Sequence, residues 1–368
     1  MLVPSRESWR DQHRNPHVAQ VYLHSPGHQY WATPEFCRVL SVDNAPERIY
    51  KRRVDETKTT VHWGQRKLLL SEIEFLTLVG SVRLNGATVV YAGAAPGTHI
   101  KYLSSLYPYV NFVLVDPAPF TVKASKNVII RRELFTDELA MEMRGLYGPN
   151  VFFISDIRTA DPDRDSLDQS ESKIKWDMAA QMRWHLMLGS ERSMLKFRLP
   201  WDQSHSEYLD GDVYLPVWGP QTTTESRLIT SHGKPAAVKK YDHQKYERQM
   251  FYFNCMTRVS LYKHDVTAPG LDHCYDCAAE AHILEAFIRM REPDLPQPRV
   301  SEMAGQMSRS ISEQLSRRRT LCDPTPDKAE RKAVIRKRQY CDEGQTPAHE
   351  TAERCRRAKY DVVSSQHH

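Results

Sequence analysis

The sequence lacks any long apolar run. No stretch of its 368 residues approaches the roughly 18 to 20 uninterrupted apolar residues that cross a bilayer. Residues 1–7 lack the charged start and apolar centre of a secretory signal. The seven cysteines are odd in number and scattered, which suits a reducing compartment. We therefore expect a soluble protein that is not secreted and that works in the cytosol or nucleus.

Two common site patterns are incomplete. The glycine-containing stretch 93–99 lacks the Lys-Ser/Thr pair of a phosphate-binding loop, which argues against ATP hydrolysis. His273, Cys274, Cys277 and His282 have a spacing that zinc can use, but a single Cys-x-x-Cys pair lacks the second pair of a structural zinc site. Ordinary packing of the cysteines in a helix is the favoured interpretation, and we predict no metal.

Positive charge is concentrated near the C-terminus. Residues 317–360 contain thirteen Lys and Arg against seven Asp and Glu, in a chain whose net charge is +5. A basic segment with few apolar residues buries too little surface to offset the entropy lost on ordering. We therefore expect residues 301–368 to form a disordered tail. It either attracts a polyanion such as RNA or only keeps the protein soluble.

Apolar runs alternate with helical patterns between residues 61 and 300. Strands are predicted at 88–91, 111–115, 127–130, 151–155, 193–197, 213–217 and 225–230, and helices at 63–82, 98–106, 137–146, 173–188, 241–256 and 274–292. This alternation indicates a mostly parallel sheet with ligands at its carboxyl edge, and the last two strands indicate an antiparallel hairpin. We predict an α/β Rossmann-like methyltransferase domain over 61–300 with seven strands and helices on both faces. Residues 1–60 form an extension packed on it.

The turn after the first strand has the features of a cofactor site. Gly93 and Gly97 carry no Cβ, so a ligand can approach the backbone, and the helix that follows aims N–H groups at it. Asp116 follows the second strand about twenty residues later, where a nucleoside cofactor presents its ribose hydroxyls. The turn and Asp116 therefore predict a nucleoside cofactor.

Four charged residues are candidates for catalysis: Lys67, Asp156, Lys196 and Glu225. A lysine is protonated at neutral pH and accepts a proton only if its pKa is lowered. Partial burial and a second lysine would lower it, and the two carboxylates would orient the amine. Such a group can activate a ribose 2′-hydroxyl for attack on a methyl carbon.

Five blocks of sequence resemble one viral family. They are residues 64–70, 89–99, 154–158, 195–198 and 225–228, and they resemble the poxvirus cap-specific mRNA nucleoside-2′-O-methyltransferases, which are also regulatory subunits of the viral poly(A) polymerase. The resemblance implies S-adenosylmethionine as cofactor, methylation of the first transcribed nucleotide of capped mRNA, and Lys196 as the base. It implies a cofactor site lined by Gln65, Tyr91, Gly93, Ala94, Pro96, Gly97 and Asp116.

The resemblance also implies a site for the 7-methylguanine of the cap. Trp201 is the stacking ring, Asp202 accepts hydrogen bonds from the guanine edge, and Glu247 is a second acceptor. Thr222 stands where the family has the opposing ring, which leaves Tyr214 or Trp218 as substitutes.

The implied partners are capped mRNA and a viral poly(A) polymerase catalytic subunit, and the implied location is the host cytoplasm, in viral factories, or the virion. A binding role as a polyadenylation processivity subunit, with or without methyl transfer, is the main alternative. A cap-independent rRNA methyltransferase is a third, and Trp201 followed by Asp202 argues against it.

Overall fold

The structure is a computed structural model that describes most of the chain between residues 35 and 316. The described ranges are 35–50, 64–161, 164–201, 203–220, 223–231, 236–258, 260 and 262–316. The extension predicted at residues 1–60 lies outside these ranges at 1–34 and 51–60, and the predicted tail lies outside them at 317–368. Within the ranges, no helix has the length and apolar character needed to cross a membrane.

Ten strands occur in the described ranges. They are β1 (Val39–Leu40), β2 (Thr88–Ala92), β3 (Asn111–Val115), β4 (Val128–Arg131), β5 (Val151–Ser155), β6 (Arg192–Phe197), β7 (His205–Leu209), β8 (Gly211–Tyr214), β9 (Ser226–Thr230) and β10 (Val238–Asp242). Eight of them form one sheet in the order β1-β8-β9-β6-β5-β2-β3-β4, and β7 pairs with β10. The five strands from β6 to β4 are parallel, whereas β9, β8 and β1 are added antiparallel.

Helices flank the large sheet. They are α1 (Gly64–Val79), α2 (Ser81–Leu84), α3 (Ile100–Leu106), α4 (Asp137–Tyr147), α5 (Leu167–Leu188), α6 (His243–Tyr252), α7 (Tyr275–Arg291) and α8 (Gln297–Ser316), and a π-helical turn, Phe253–Thr257, continues α6. Helix α1 packs with α7 and α8, and α4 packs with α5. The predicted α/β class and the mostly parallel sheet are confirmed.

Strands β2 and β5 lie at the centre of the sheet and are buried along their whole length. All five residues of each are buried, as expected for parallel strands covered on both faces. Ala92 at the end of β2 pairs with Val115 of β3 and with Ser155 of β5. The carboxyl ends of these three strands are therefore level, and the residues that follow them lie along one edge.

The edges of the sheet depart from the sequence prediction. The sheet has eight strands rather than the predicted seven, because β1 also pairs with β8. Strand β1 has only two residues, too few to give a pattern in the sequence. The second sheet of β7 and β10 was not predicted, since both strands are short and largely polar. Its presence moves the start of the predicted helix 241–256 to His243.

Helix α8 corrects the predicted start of the tail. The sequence places a disordered tail from residue 301, but the chain is helical through Ser316. Val300, Ala304 and Ile311 are fully buried and recur at helical spacing along the face that packs on α7. The prediction failed because small and polar residues separate these few apolar positions, which gives the segment low hydropathy.

Candidate functional site

The four predicted catalytic residues come together at the carboxyl edge of the sheet. Asp156 directly follows β5, and Lys196 lies near the end of the neighbouring strand β6. Glu225 immediately precedes the antiparallel strand β9, which pairs with β6. Lys67 lies in the first turn of α1. Strand order therefore brings together residues as far as 158 positions apart.

Two lysine–carboxylate pairs make up the centre of the site. Lys67 Nζ donates to Glu225 Oε1 at 2.7 Å. Lys196 Nζ lies 3.0 Å from Asp156 Oδ1 and donates to the Asp156 carbonyl oxygen at 2.9 Å. All four side chains are largely buried, with at most 19% exposed. We call these four residues the tetrad.

Two arginines that the sequence analysis did not predict contact the tetrad. Arg227 is buried and bridges the two carboxylates, with Nη2 2.6 Å from Asp156 Oδ1 and Nη1 3.0 Å from Glu225 Oε1. Arg158, half-exposed, donates to the other oxygen of Glu225. Each arginine follows a tetrad carboxylate by two positions, and this repeated spacing is the only sequence pattern that points to them.

Burial and neighbouring charges shift the pKa values of Lys196, Asp156 and Glu225 in directions that suit proton transfer. Burial lowers the pKa of Lys196 despite the opposing effect of Asp156 and Glu225. Burial alone would raise the pKa of Asp156, but Lys196 and Arg227 outweigh it and hold that pKa below its usual value. In the same way Lys67 and Arg227 hold the pKa of Glu225 well below its usual value.

Helix α5 holds Lys196 in place through the backbone. The Gln181 side-chain oxygen accepts the Lys196 N–H and its amide nitrogen donates to the Lys196 carbonyl, each at 3.1 Å. Gln181 is itself buried, so this amide completes hydrogen bonding at the end of β6 without water. Gln181 thus fixes the backbone of Lys196, and Asp156 fixes its side-chain amine.

A cleft of about 860 Å³ opens in front of the tetrad. All four tetrad residues line it, and so do Gln65 and Trp201. Its walls come from the first turn of α1, one face of α5 and the segment before β9. The volume is that of a small-molecule or nucleotide site.

The glycine turn after β2 lies directly against the tetrad. Gly93 has a φ of 78°, and a Cβ added to it would lie 2.8 Å from the Ile157 nitrogen, next to Asp156. Gly97 also has a positive φ, 63°. Glycine is required at both positions because other residues rarely adopt this backbone, and at Gly93 none would fit.

The remaining predicted cofactor residues differ in their environment. Asp116 accepts hydrogen bonds from the Ala95 N–H at 3.2 Å and the Ala118 N–H at 2.8 Å, so it braces the glycine turn. Gln65 Oε1 lies 2.8 Å from His99 Nδ1 at the start of α3.

Three further predicted cofactor residues range from buried to exposed. Ala94 is buried and Pro96 is exposed. Tyr91 is buried behind the site, where burial and then Glu72 and Asp156 raise its pKa well above the usual value.

Of the three predicted cap residues, Trp201 is the one placed in the cleft. Its side chain is exposed, and the Arg198 guanidinium lies 4.6 Å from its ring centroid. Glu171 joins the two: it pairs with Arg198 at 2.7 Å and accepts the Trp201 N–H at 2.8 Å. Glu247 lies half-buried on α6 and does not line the cleft; burial raises its pKa. Asp202 lies outside the described residues.

The ring opposite Trp201 is not supplied by either predicted substitute. Trp218 is completely buried and its indole N–H donates to Glu280 at 2.8 Å. Tyr214 is buried in β8, and burial raises its pKa to about 12. Both rings pack inside the protein and cannot stack on a ligand in the cleft. Thr222 lies outside the described residues.

Known proteins resemble this chain over much of its length. Over 222 residues it is 32% identical to the cap-specific mRNA (nucleoside-2′-O-)-methyltransferase of Myxoma virus (strain Lausanne), covering 56% of this chain and 64% of the relative. Over 233 residues it is 30% identical to the protein of that name from Fowlpox virus (strain NVSL), covering 58% and 74%. The match thus spans less than two thirds of the Myxoma relative.

A solved structure and a family model also match. A match to a bluetongue virus VP4 structure, described as a multifunctional RNA-capping production line, covers 56% of this chain and 34% of that chain at 12% identity, with a TM-score of 0.42. The family model described as "Poly A polymerase regulatory subunit" matches residues 36–294. The chain therefore belongs to the poly(A) polymerase regulatory subunit family.

Proposed function

We propose that this protein transfers a methyl group from S-adenosylmethionine to the ribose 2′-hydroxyl of the first transcribed nucleotide of 7-methylguanine-capped mRNA. The observation that carries the proposal is the buried Lys196 amine, held between a carboxylate and a carbonyl oxygen at the mouth of a nucleotide-sized cleft. Relatives in Myxoma and Fowlpox viruses carry the matching name, which supports the substrate and the reaction.

Lys196 acts as the general base in this proposal. Its lowered pKa raises the fraction of neutral amine, which takes the proton of the 2′-hydroxyl as that oxygen forms its new bond to carbon. The bound cofactor would supply an electrophilic methyl carbon, whose bond to sulfur breaks as the carbon–oxygen bond forms, with a neutral thioether as the leaving group. The proton ends on Lys196 Nζ, where Asp156 stabilises the cation that forms.

The rest of the tetrad positions charge around this proton transfer. Glu225 is held by Lys67 and Arg227, so it stays ionised and fixes both cations in place. Arg227 keeps Asp156 and Glu225 apart in one fixed geometry. Fixed charges of this kind need no rearrangement during the reaction, and this preorganisation lowers the barrier.

The residues around the glycine turn fit a nucleoside cofactor. Gly93 and Gly97 permit the tight turn after β2, and Asp116 has carboxylate lone pairs beyond the two that the backbone uses. We propose that Asp116 accepts from the ribose hydroxyls. Gln65, which lines both the turn and the cleft, contacts the methionine end. Tyr91 supports the site from behind, and Ala94 and Pro96 shape the turn.

The 7-methylguanine is proposed to stack on Trp201. A cationic base is attracted to the face of an indole. The Arg198 guanidinium makes a contact of this kind with Trp201 in the structure. Asp202 remains the predicted acceptor for the guanine edge, whereas Glu247 does not line the cleft that contains Trp201.

Methyl transfer to matched RNAs tests the proposal. We expect labelled methyl from S-adenosylmethionine to appear on the 2′-oxygen of 7-methylguanine-capped RNA and not on uncapped RNA of the same sequence. We expect Lys196→Ala to reduce the rate by about 100-fold or more, as loss of a general base does. Equal methylation of both RNAs would refute cap specificity.

The family description supports a second role as partner of a poly(A) polymerase catalytic subunit. The complete tetrad favours catalysis as the main activity, because RNA binding alone does not require two lysines and two carboxylates at these positions. We propose the polymerase contact as an additional property. Extension of a poly(A) primer by the polymerase subunit, with and without this protein, tests it.

A further inference from the structure

Three metal-ligating side chains lie together at the start of α7. The Asp272 carboxylate and the Cys274 and Cys277 thiols offer ligand atoms that all lie within 4.8 Å of one another. Both thiols are buried, and Asp272 is partly exposed. None of the three lines the cleft. We call them the α7 cluster.

The backbone around the α7 cluster fixes its geometry. Cys274 is the N-cap residue of α7, Cys277 lies in the first turn, and the Cys274 N–H donates to Asp272 Oδ1 at 2.8 Å. The preceding segment closes on itself, because the Tyr262 N–H donates to the His273 carbonyl at 2.8 Å. The three ligands are therefore held in place before any ion binds.

His264 provides an independent observation beside the cluster. Its Nε2 lies 2.5 Å from the Asp272 carbonyl oxygen. Its Nδ1 is buried and has no hydrogen-bond partner among the described residues. A buried imidazole nitrogen without a hydrogen bond is costly, and it is a donor of the kind that zinc uses. His282, which the sequence pattern included, packs instead on Phe36 with 5.3 Å between ring centroids.

We propose that Asp272, Cys274 and Cys277 bind a structural Zn²⁺ ion, with the fourth position taken by water. Thiolate sulfur with one oxygen or nitrogen donor favours zinc over calcium or magnesium. Two thiolates and a carboxylate carry three negative charges against two positive ones on the ion. The positive N-terminal end of α7 offsets the remaining charge.

Binding requires both thiols to lose a proton. A cysteine thiol ordinarily carries its proton at neutral pH. One Zn²⁺ ion therefore displaces two protons, one from each cysteine, and no oxidation takes place. The same site would fail if the two cysteines formed a disulfide.

The ion would fasten the segment 262–274 to α7. Helix α8 presses on this segment, because a Cβ added to Gly305 would collide with the Thr267 carbonyl oxygen. Helix α7 in turn carries Asp276 and Glu280, which form buried ion pairs with Arg258 and Arg66. The site thus lies where three parts of the chain meet.

Metal analysis of the full-length protein, purified without chelator, tests the inference. We expect about one zinc ion per chain in the wild type and in Cys255→Ser, a matched cysteine outside the cluster. We expect Cys274→Ser and Cys277→Ser each to lose most of the bound zinc. Stoichiometric zinc that survives both substitutions would overturn the assignment.

A second measurement needs no variant and therefore does not depend on folding of the serine forms. Cobalt added to metal-free wild-type protein is expected to give a thiolate-to-metal absorption band that one equivalent of zinc abolishes. Absence of the band, or a Cys274–Cys277 disulfide found by mass spectrometry of freshly purified protein, would overturn the proposal.

Discussion

Lys196 shows how a residue that is unremarkable in sequence acquires a function through its surroundings. It is placed in an apolar strand, buried, and surrounded by both carboxylates and both arginines of the site. Burial favours the neutral amine, while Asp156 and Glu225 favour the cation. The net effect is a pKa below that of a free lysine, so the base becomes available at lower pH than a free lysine would.

Arg158 provides a test of this balance through pH dependence. The reactive amine is neutral, so the rate of methyl transfer should rise with pH through the pKa of Lys196 and then level off. Arg158 lowers that pKa. We expect Arg158→Gln to move the rise to higher pH by about 0.3 to 1 pH unit, since a half-exposed charge is screened. Arg164→Gln, an exposed arginine nearby, should leave the profile unchanged. A shift to lower pH would contradict this assignment.

Trp201 provides a test of cap binding. We expect Trp201→Ala to weaken binding of a 7-methylguanine cap analogue by about 2- to 30-fold, the loss of a cation–π contact of about 0.5 to 2 kcal/mol. Binding of S-adenosylmethionine, measured by calorimetry, should stay the same. Trp176→Ala is the matched control, because Trp176 is about equally exposed and lies outside the cleft. Equal cap affinity in wild type and Trp201→Ala would show that the ring does not stack.

Sequence reasoning found the tetrad but not its two arginines. The catalytic candidates were predicted from their positions near strand ends and from the resemblance to the family; they are Lys67, Asp156, Lys196 and Glu225. Arg227 lies in a buried strand, and a sequence does not show that two carboxylates on different strands meet at that point. The partners of a charged residue depend on strand order, which long-range packing determines.

At the scale of elements, a buried ion pair fixes the end of α1 that contributes Lys67 to the site. Arg66, next to Lys67, pairs with Glu280 of α7 with both side chains fully buried. It also donates to Ser308 and Ser312 of α8. Arg66 therefore connects the first turn of α1 to α7 and α8. The packing of these helices determines the position of Lys67.

Removal of the Glu280 carboxylate should destabilise this helix group. We expect Glu280→Ala to lower the free energy of unfolding by about 3 to 5 kcal/mol, because Arg66 is left buried and unpaired. Urea denaturation followed by circular dichroism measures the change. Glu302→Ala removes a pair that is half-exposed and should cost less than about 1 kcal/mol. Similar values for the two variants would contradict the role assigned to the buried pair.

Helices and strands differ in how far the sequence revealed them. Strands β2, β3 and β5 were predicted because their apolar runs are continuous and bounded by turns. Strand β1 and the β7–β10 pair were missed because their stability comes from neighbours rather than from their own residues. Helix α8 was missed for a related reason, since its buried face is made largely of Val, Ala and Ser.

At the scale of the whole molecule, positive charge beyond the described residues provides a prediction for RNA affinity. We expect a protein lacking residues 317–368 to methylate a short capped RNA at the wild-type rate. Its affinity for long RNA should be lower, and less sensitive to salt, because thirteen cationic side chains are lost. Filter binding at several salt concentrations measures this. An unchanged salt dependence would assign the tail a role other than RNA attraction.

The close approach of Gly93 to the backbone after β5 has a consequence for the layout of the molecule. No side chain fits between the glycine turn and Ile157, because a Cβ at position 93 would lie 2.8 Å from the Ile157 nitrogen and 2.9 Å from the Asp156 carbonyl carbon. Main chain therefore meets main chain directly where β2 and β5 end. A substitution as small as alanine at position 93 would push these two segments apart and displace Asp156 from its partners in the tetrad.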